Sequence, residues 1–424
     1  MIENATAVPL AELAEARAYT LALTDDLRDE QLRVPMLECI NPILWELGHI
    51  AYVAEFWTLR KIFGAAPLIA DADRLYDSAK IAHDSRWSLP LPSRVQTATF
   101  MLQELEAVTA RADEAARLDG AAYFYRLALH HEDMHGEALL YTRQTLGYSA
   151  PDATAVAPRG AALEGDVRIP GGRYAVGSVP EDGFVFDNEK WRHDVDLSAF
   201  AIARAPVTNA QFADFVEDGG YQNRRFWSHA GWAWAQSERA AHPVYWDPLG
   251  TGRGIAAFAR RHFDRMLPLG AHEPVCHVNH FEAQAYCAWS GRRLPTEPEW
   301  EVAATGGMRR RFPWGDDPAT PERANLDGVF GDVCDVSAFE AGESPHGIRQ
   351  MLGNVWEWTD SVFAPYPGFT TDPYAEYSAP WFGTHVVLRG GAWSTRSRLI
   401  STRWRNFYRP HRRDIITGFR TVKA

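Results

Sequence analysis

Apolar residues recur at helical spacing through the first third of the chain. After residue 168 they break into short runs separated by Gly, Pro, Asp and Asn. Residues 9–32 carry Leu10, Leu13, Tyr19, Leu21 and Leu23 without an internal breaker, which predicts a first amphipathic helix. Asn41-Pro42 predicts the start of a second, because Asn caps well and Pro at the first helical position loses no hydrogen bond. That helix is expected to reach Ile62 and holds Leu44, Trp45, Leu47, His49, Tyr52, Val53 and Phe56. Residues 64–92, including LYDSAKIAHDSRWSLPLP, have no clear period, and a connection this long inside a compact domain is functional or disordered. Ser93 and Gln96 form a capping box for a third helix running to Leu118. Asp119-Gly120 breaks it, and a fourth is expected from Ala121 to a Gly147 C-cap. The expected architecture is a four-helix bundle with one long crossover.

Residues 148–166 are rich in Ala, Pro and Gly without a period and read as a linker. Domains are therefore expected at 1–150 and 167–424, with the linker over 151–166. The second domain reads as α+β: strand-like runs such as RYAVGS, FAIARAPV and HVVLRGG, and two short helices over 208–216 and 280–289.

At 424 residues the chain exceeds one ordinary core, in agreement with two domains. A net charge of −12 argues against nucleic acid or an anionic membrane as partner. No apolar run approaches the ~20 residues of a membrane-spanning helix, and Glu3, Glu12 and Glu15 replace the basic start of a secretory signal. The four cysteines are scattered without a CxxC pair, as expected of free thiols in a reducing cytoplasm. Most of the 16 tryptophans lie beyond residue 190, a second sign of two architectures.

The candidate chemistry lies in LALHHEDMHGEALLYTRQTLG, residues 127–147. His131 and His135 are four apart, on one helix face, so two imidazoles can grip one ion. A single histidine on an apolar face is more often a core residue; the spacing and the polar neighbours Glu132, Asp133 and Glu137 favour a cation here. His49 is the best third ligand, since an unsatisfied imidazole in an apolar stripe is costly. A carboxylate from Glu132, Asp133 or Glu137 is the alternative third ligand, although Glu137 reads better as a group orienting one of the histidines. Imidazoles suit iron and zinc alike, so spacing leaves the metal open.

Five stretches of the second domain, PVCHVNHFEAQAYCAWSGRRLPTEPEWEVAA (274–304), RFPWGDDP (311–318), MLGNVWEWTD (351–360), VLRGGAW (387–393) and GFR (418–420), resemble the formylglycine-generating-enzyme-like domain. That implies a C-type-lectin-like fold, with Trp356 and Trp358 in its core. GHIAYVAEFW (48–57) and HHEDMHGEA (130–138) resemble a DinB-type bundle. The fusion is similar to the iron-dependent sulfoxide synthases of ergothioneine biosynthesis, in which three bundle histidines hold Fe(II); they match His49, His131 and His135. Met134 stands where those enzymes commonly have Gln, and Arg405-Asn406-Phe407-Tyr408 stands where they often show Arg-Asn-Trp-Asp. The Asp that would hold the ammonium of an amino acid thiol is thus absent. Together with LYDSAKIAHDSRWSLPLPSR, this most resembles selenoneine synthases, which implies 1-seleno-glucose as donor, hercynine as acceptor and O2 as oxidant. The resemblance also implies a proton-donating tyrosine, Tyr374 ahead of Tyr377, and substrate contacts from Asn406. Phe407 or Trp404 can cover a quaternary ammonium, and Arg86 can pair with a carboxylate.

Competing classes are an ergothioneine-type sulfoxide synthase using cysteine or γ-glutamylcysteine, a zinc-dependent DinB-type thiol transferase, and a lectin-like binding module. A formylglycine-generating enzyme of the best-known type needs a C-terminal cysteine pair, and no cysteine follows Cys334. No obligate protein partner is expected.

Overall fold

The computed structural model describes residues 7–424, which divide into two compact units: 7–146 together with 181–184, and 147–180 together with 185–424. In the first unit, α1 (Leu10–Asp25), α2 (Ile43–Glu55), α5 (Arg94–Ala110) and α7 (Ala121–Leu146) form the bundle. Leu13, Ala54, Val108, Tyr125 and Leu129 meet in its core. Three shorter helices, α3 (Lys61–Phe63), α4 (Ala72–Tyr76) and α6 (Ala112–Ala115), extend or connect them.

α1 stops well short of residue 32 because arginines from other helices take its terminal carbonyls. Arg143 donates to Leu23 O and pairs with the Asp26 carboxylate, while Arg94 donates to Thr24 O and Leu27 O. α2 begins at Ile43, and Asn41 does not cap it: the Asn41 side chain accepts from Arg86 Nη1 at 2.6 Å. After Glu55 the helix passes through a π-helical stretch, Phe56–Arg60, into α3. The Ser93–Gln96 capping box is present, and Gly147 adopts φ +66°, the left-handed conformation that ends α7.

The second unit has short strands. β1 (Asp166–Ile169), β2 (Gly172–Val176), β3 (His193–Leu197) and β4 (Phe200–Ala203) are followed by β5 (Trp246–Pro248), β6 (Phe258–His262) and β7 (Arg265–Pro268). β8 (Arg292–Arg293), β9 (Trp356–Val362), β10 (Val386–Arg389), β11 (Asn406–Tyr408), β12 (Thr417–Gly418) and β13 (Val422–Lys423) complete the set. One sheet runs β1-β4-β13-β8 and another β11-β10-β9-β12; β2-β3 and β5-β6-β7 are separate. Helices α8 (Asn209–Glu217) and α10 (His280–Ser290) match expectation, while α9 (His229–Ser237) and α11 (Glu297–Thr305) were not foreseen. α11 begins at a Thr296–Glu299 capping box.

Buried charge ties this unit together. Arg389 donates to Glu297 and Glu301, four apart on α11, at 2.7 and 2.6 Å, and Arg405 grips Glu297 at 2.7 and 3.0 Å. Arg420 and Trp300 both donate to Glu357 beside the buried Trp356 and Trp358. At Gly353 (φ +80°) a Cβ would meet Asn325 O at 2.4 Å, so this turn of the NVWEW stretch needs glycine. The expected linker is not a free tether: Thr154 and Ala155 donate to Val329 O, and Gly160 donates to the Asp335 carboxylate. Among the described residues, no helix is long and apolar enough to cross a membrane.

Candidate metal centre

α2 and α7 bring His49, His131 and His135 together, with one ring nitrogen of each within 4.8 Å of the others. His131 and His135 approach Nε2 to Nε2 at 3.2 Å. Two nitrogens bound at about 2.1 Å to one ion lie roughly 3.0–3.4 Å apart, so this spacing fits a shared ion. His49 directs Nδ1 to Tyr76 O at 2.8 Å, and His135 directs Nδ1 to Glu46 Oε1 at 2.6 Å. In both rings Nε2 is therefore the nitrogen for an ion.

Burial holds His49 and His131 well below the usual imidazole range, and the neighbouring His135 pushes each further down. They are neutral at physiological pH, which is the ligating form. The donor set thus fits a divalent transition metal such as iron or zinc. Among the described residues the cluster able to hold an ion is these three histidines, without Glu132, Asp133 or Glu137; Glu132 is committed to Arg17 at 2.9 and 3.1 Å, and Asp133 lies beside His130. Trp45 stacks on His49 (centroids 4.7 Å, 11° between planes), and the Arg86 guanidinium covers Trp45 at 4.0 Å. Arg86 is thereby held one ring away from His49. Met134 lies between His131 and His135 on α7, partly exposed.

The second unit gathers its own candidates. Tyr377 stacks on Phe186 (4.1 Å, 22°), stands edge-on to Phe407 at 5.9 Å and lies 6.1 Å from Tyr374. Trp404 meets Phe186 edge-on at 5.0 Å, and Phe407 stacks on Phe363 at 4.0 Å. Asn406 and Phe407 lie on β11, paired with Leu388 and Val387, and Arg405 anchors the strand's start. The tyrosine loop is pinned by Ser378, which donates to Asp187, and by the Lys190–Asp372 pair at 2.7 Å. Burial first, then the Glu189 and Asp187 carboxylates, push the Tyr377 phenol well up, so it keeps its proton.

Comparison with known proteins extends this picture. The sulfatase-modifying factor enzyme 1-like domain matches residues 152–424, and the DinB superfamily matches residues 12–139. The hercynine oxygenase of Mycolicibacterium smegmatis is 38% identical over 429 residues, covering 96% of this chain and 97% of that one. The hercynine oxygenase of Mycobacterium tuberculosis is 38% identical over 423 residues, covering 96% of each. This chain belongs to the hercynine oxygenase family. The formylglycine-generating enzyme of Streptomyces coelicolor is 34% identical over 278 residues, but that likeness spans 58% of this chain. Membership in the hercynine oxygenase family makes the protein an oxidoreductase with a DinB-like bundle and a formylglycine-generating-enzyme-like domain.

Within that family frame, the structure gathers His49, His131, His135 and Arg86 in the bundle, and Tyr374, Tyr377, Trp404, Asn406 and Phe407 in the second unit. Sequence reasoning missed Glu46 and the Tyr76 carbonyl. Glu46 carried a signal, standing three residues before His49 on one helix face. The Tyr76 carbonyl carried none, since any residue offers one.

Proposed function

We propose that this protein is an Fe(II)- and O2-dependent enzyme that bonds the selenium of 1-seleno-glucose to the imidazole C2 of hercynine, a selenoneine synthase. The observation carrying the choice of donor is Tyr408 on β11, where an aspartate would bind the ammonium of an amino acid thiol. The nearby Asp414 does not substitute for it, being paired with Arg412 at 2.6 and 2.7 Å. An ammonium-bearing donor therefore loses its charge-assisted partner, whereas an uncharged sugar needs none.

His49, His131 and His135 would hold the iron, which supplies O2 activation beside the two substrates. Coupling a selenol to an imidazole C–H with one O2 gives the selenoxide-bridged product and one water. The two hydrogens of that water come from the selenol and the imidazole C–H, and a tyrosine is assigned to relay them to the oxygen: Tyr374, with Tyr377 beside it at 6.1 Å. Asn406 Oδ1 accepts from Phe407 N at 2.8 Å, which leaves its NH2 to donate to the hercynine carboxylate. Phe407 is more exposed than the buried Trp404, so it is the better ring for the trimethylammonium. Arg86 and Met134 are assigned to substrate contact in the bundle. The reaction needs only small molecules, and the free thiols of Cys276, Cys287 and Cys334 suit a reducing cytoplasm.

A second reading, joining hercynine to cysteine or γ-glutamylcysteine, is favoured by the 38% identity to hercynine oxygenases. The deciding experiment is an aerobic assay with Fe(II) and hercynine, offering seleno-glucose and each amino acid thiol separately, with products read by mass spectrometry. Turnover of seleno-glucose alone is expected. Turnover of the thiols alone overturns the selenium assignment and leaves the sulfoxide synthase. Activity that is insensitive to O2, with stoichiometric zinc in anaerobically purified protein, overturns both.

A further inference from the structure

We infer that Glu46 is a positioning residue for the metal centre, fixing the His135 ring and supplying the negative charge that a dication on that ring requires. The inference rests on the three-histidine metal site of the reading above and on nothing about the organic donor. Glu46 is 1% exposed, and its Oε1 accepts from His135 Nδ1 at 2.6 Å, a short, charge-assisted distance. Its other oxygen, Oε2, is buried without a hydrogen-bond partner. A buried carboxylate held by one bond is costly unless positive charge lies along that bond. His135 Nε2 faces His131 Nε2, so an ion held there places its charge across the ring from Glu46. The carboxylate and the cation then stabilise each other through one imidazole.

The contrast with His49 sharpens the assignment. Its Nδ1 bonds a backbone carbonyl, which orients the ring but brings no full charge. Glu46 and His49 lie one turn apart on α2, whereas His135 is on α7. α2 thus contributes one ligand directly and controls another across the bundle. With three neutral imidazoles, Glu46 is a carboxylate bonded to the ligand set, so it lowers the net charge of a loaded site by one.

The test is competition between the apoprotein and a chromophoric chelator for Fe(II), under anaerobic conditions, and for Co(II), with the Co(II) ligand-field spectrum recorded. Glu46→Leu removes both bond and charge, Glu46→Gln keeps an acceptor without the charge, and Glu55→Gln is a buried control on the same helix. Glu46→Leu is expected to bind both ions 10–100-fold more weakly than wild type. Glu46→Gln should fall between them with an unchanged Co(II) spectrum, and Glu55→Gln should match wild type. Wild-type affinity in Glu46→Leu overturns the inference, as does an equal loss in Glu55→Gln. If Glu46→Leu does not fold, Glu46→Gln decides, and wild-type affinity there overturns the assignment. Failure of the selenium reading would leave these affinities untouched, so the two proposals fall separately.

Discussion

Arg17 lies between Glu104 and Glu132 at the centre of the bundle, 2.9 Å from each, and also donates to the Met101 carbonyl. Burial pushes the Glu104 carboxyl up to about 7, against the pull of Arg17. Glu132 directly follows His131, so the triad fixes how α7 is rotated and which residues face α2. Arg17→Met would leave two buried acids without their cation, and roughly 3–5 kcal/mol of stability should be lost. Denaturant unfolding checks this; a loss below about 1 kcal/mol would mean the triad contributes little. At this scale the sequence was informative where a residue contradicted its surroundings. His49 stood out in an apolar stripe, and His131 with His135 stood out by spacing. Arg86 was ambiguous because its partners, Asn41 and Trp45, lie in a distant helix start that no local pattern links to it. Glu132 was attractive as a ligand only because Arg17, more than a hundred positions away, is invisible to local reading.

The elements around the site are legible in the same uneven way. Capping boxes and glycine stops placed α5 and the end of α7, since those signals are local. The end of α1 was misplaced because its carbonyls are closed by Arg94 and Arg143, which are long-range partners. The 64–92 connection looked irregular, yet its α4 delivers the Tyr76 carbonyl to His49 and the Leu75 carbonyl to Trp45. That delivery depends on Gly48, where a Cβ would lie 2.2 Å from the Tyr76 ring. Tyr76 is itself buried and stacked near Phe100, so the ring has little room to yield. Gly48→Ala should therefore cost about 1–3 kcal/mol by overpacking and also weaken metal binding, because moving Tyr76 moves the acceptor of His49 Nδ1. Chelator competition alongside an unfolding curve separates the two; an unaffected metal affinity would show that α4 does not steer the ligand.

Across the whole molecule, the two architectures were evident from a change of texture near residue 168, from helical period to short runs rich in tryptophan. The bundle was the more readable half, because amphipathic helices announce themselves by period. The second unit was read through motifs instead, and its unforeseen helices, α9 and α11, are only nine residues each. What no period or motif disclosed is that Glu181–Phe184 belongs to the helical unit. There Phe184 packs on Tyr123 at 5.1 Å and on His130 at 4.9 Å, next to the candidate ligand His131. The bundle is thus not encoded by one contiguous stretch, and this bears on how such genes can recombine. A crossover between relatives at residue 147 hands the bundle a foreign side chain at position 184, against Tyr123 and His130. In a library of chimeras joined there, the folded, metal-loaded survivors should be enriched for an aromatic residue at that position. Chimeras that retain this chain's own residues 181–184 should melt higher than matched ones that do not.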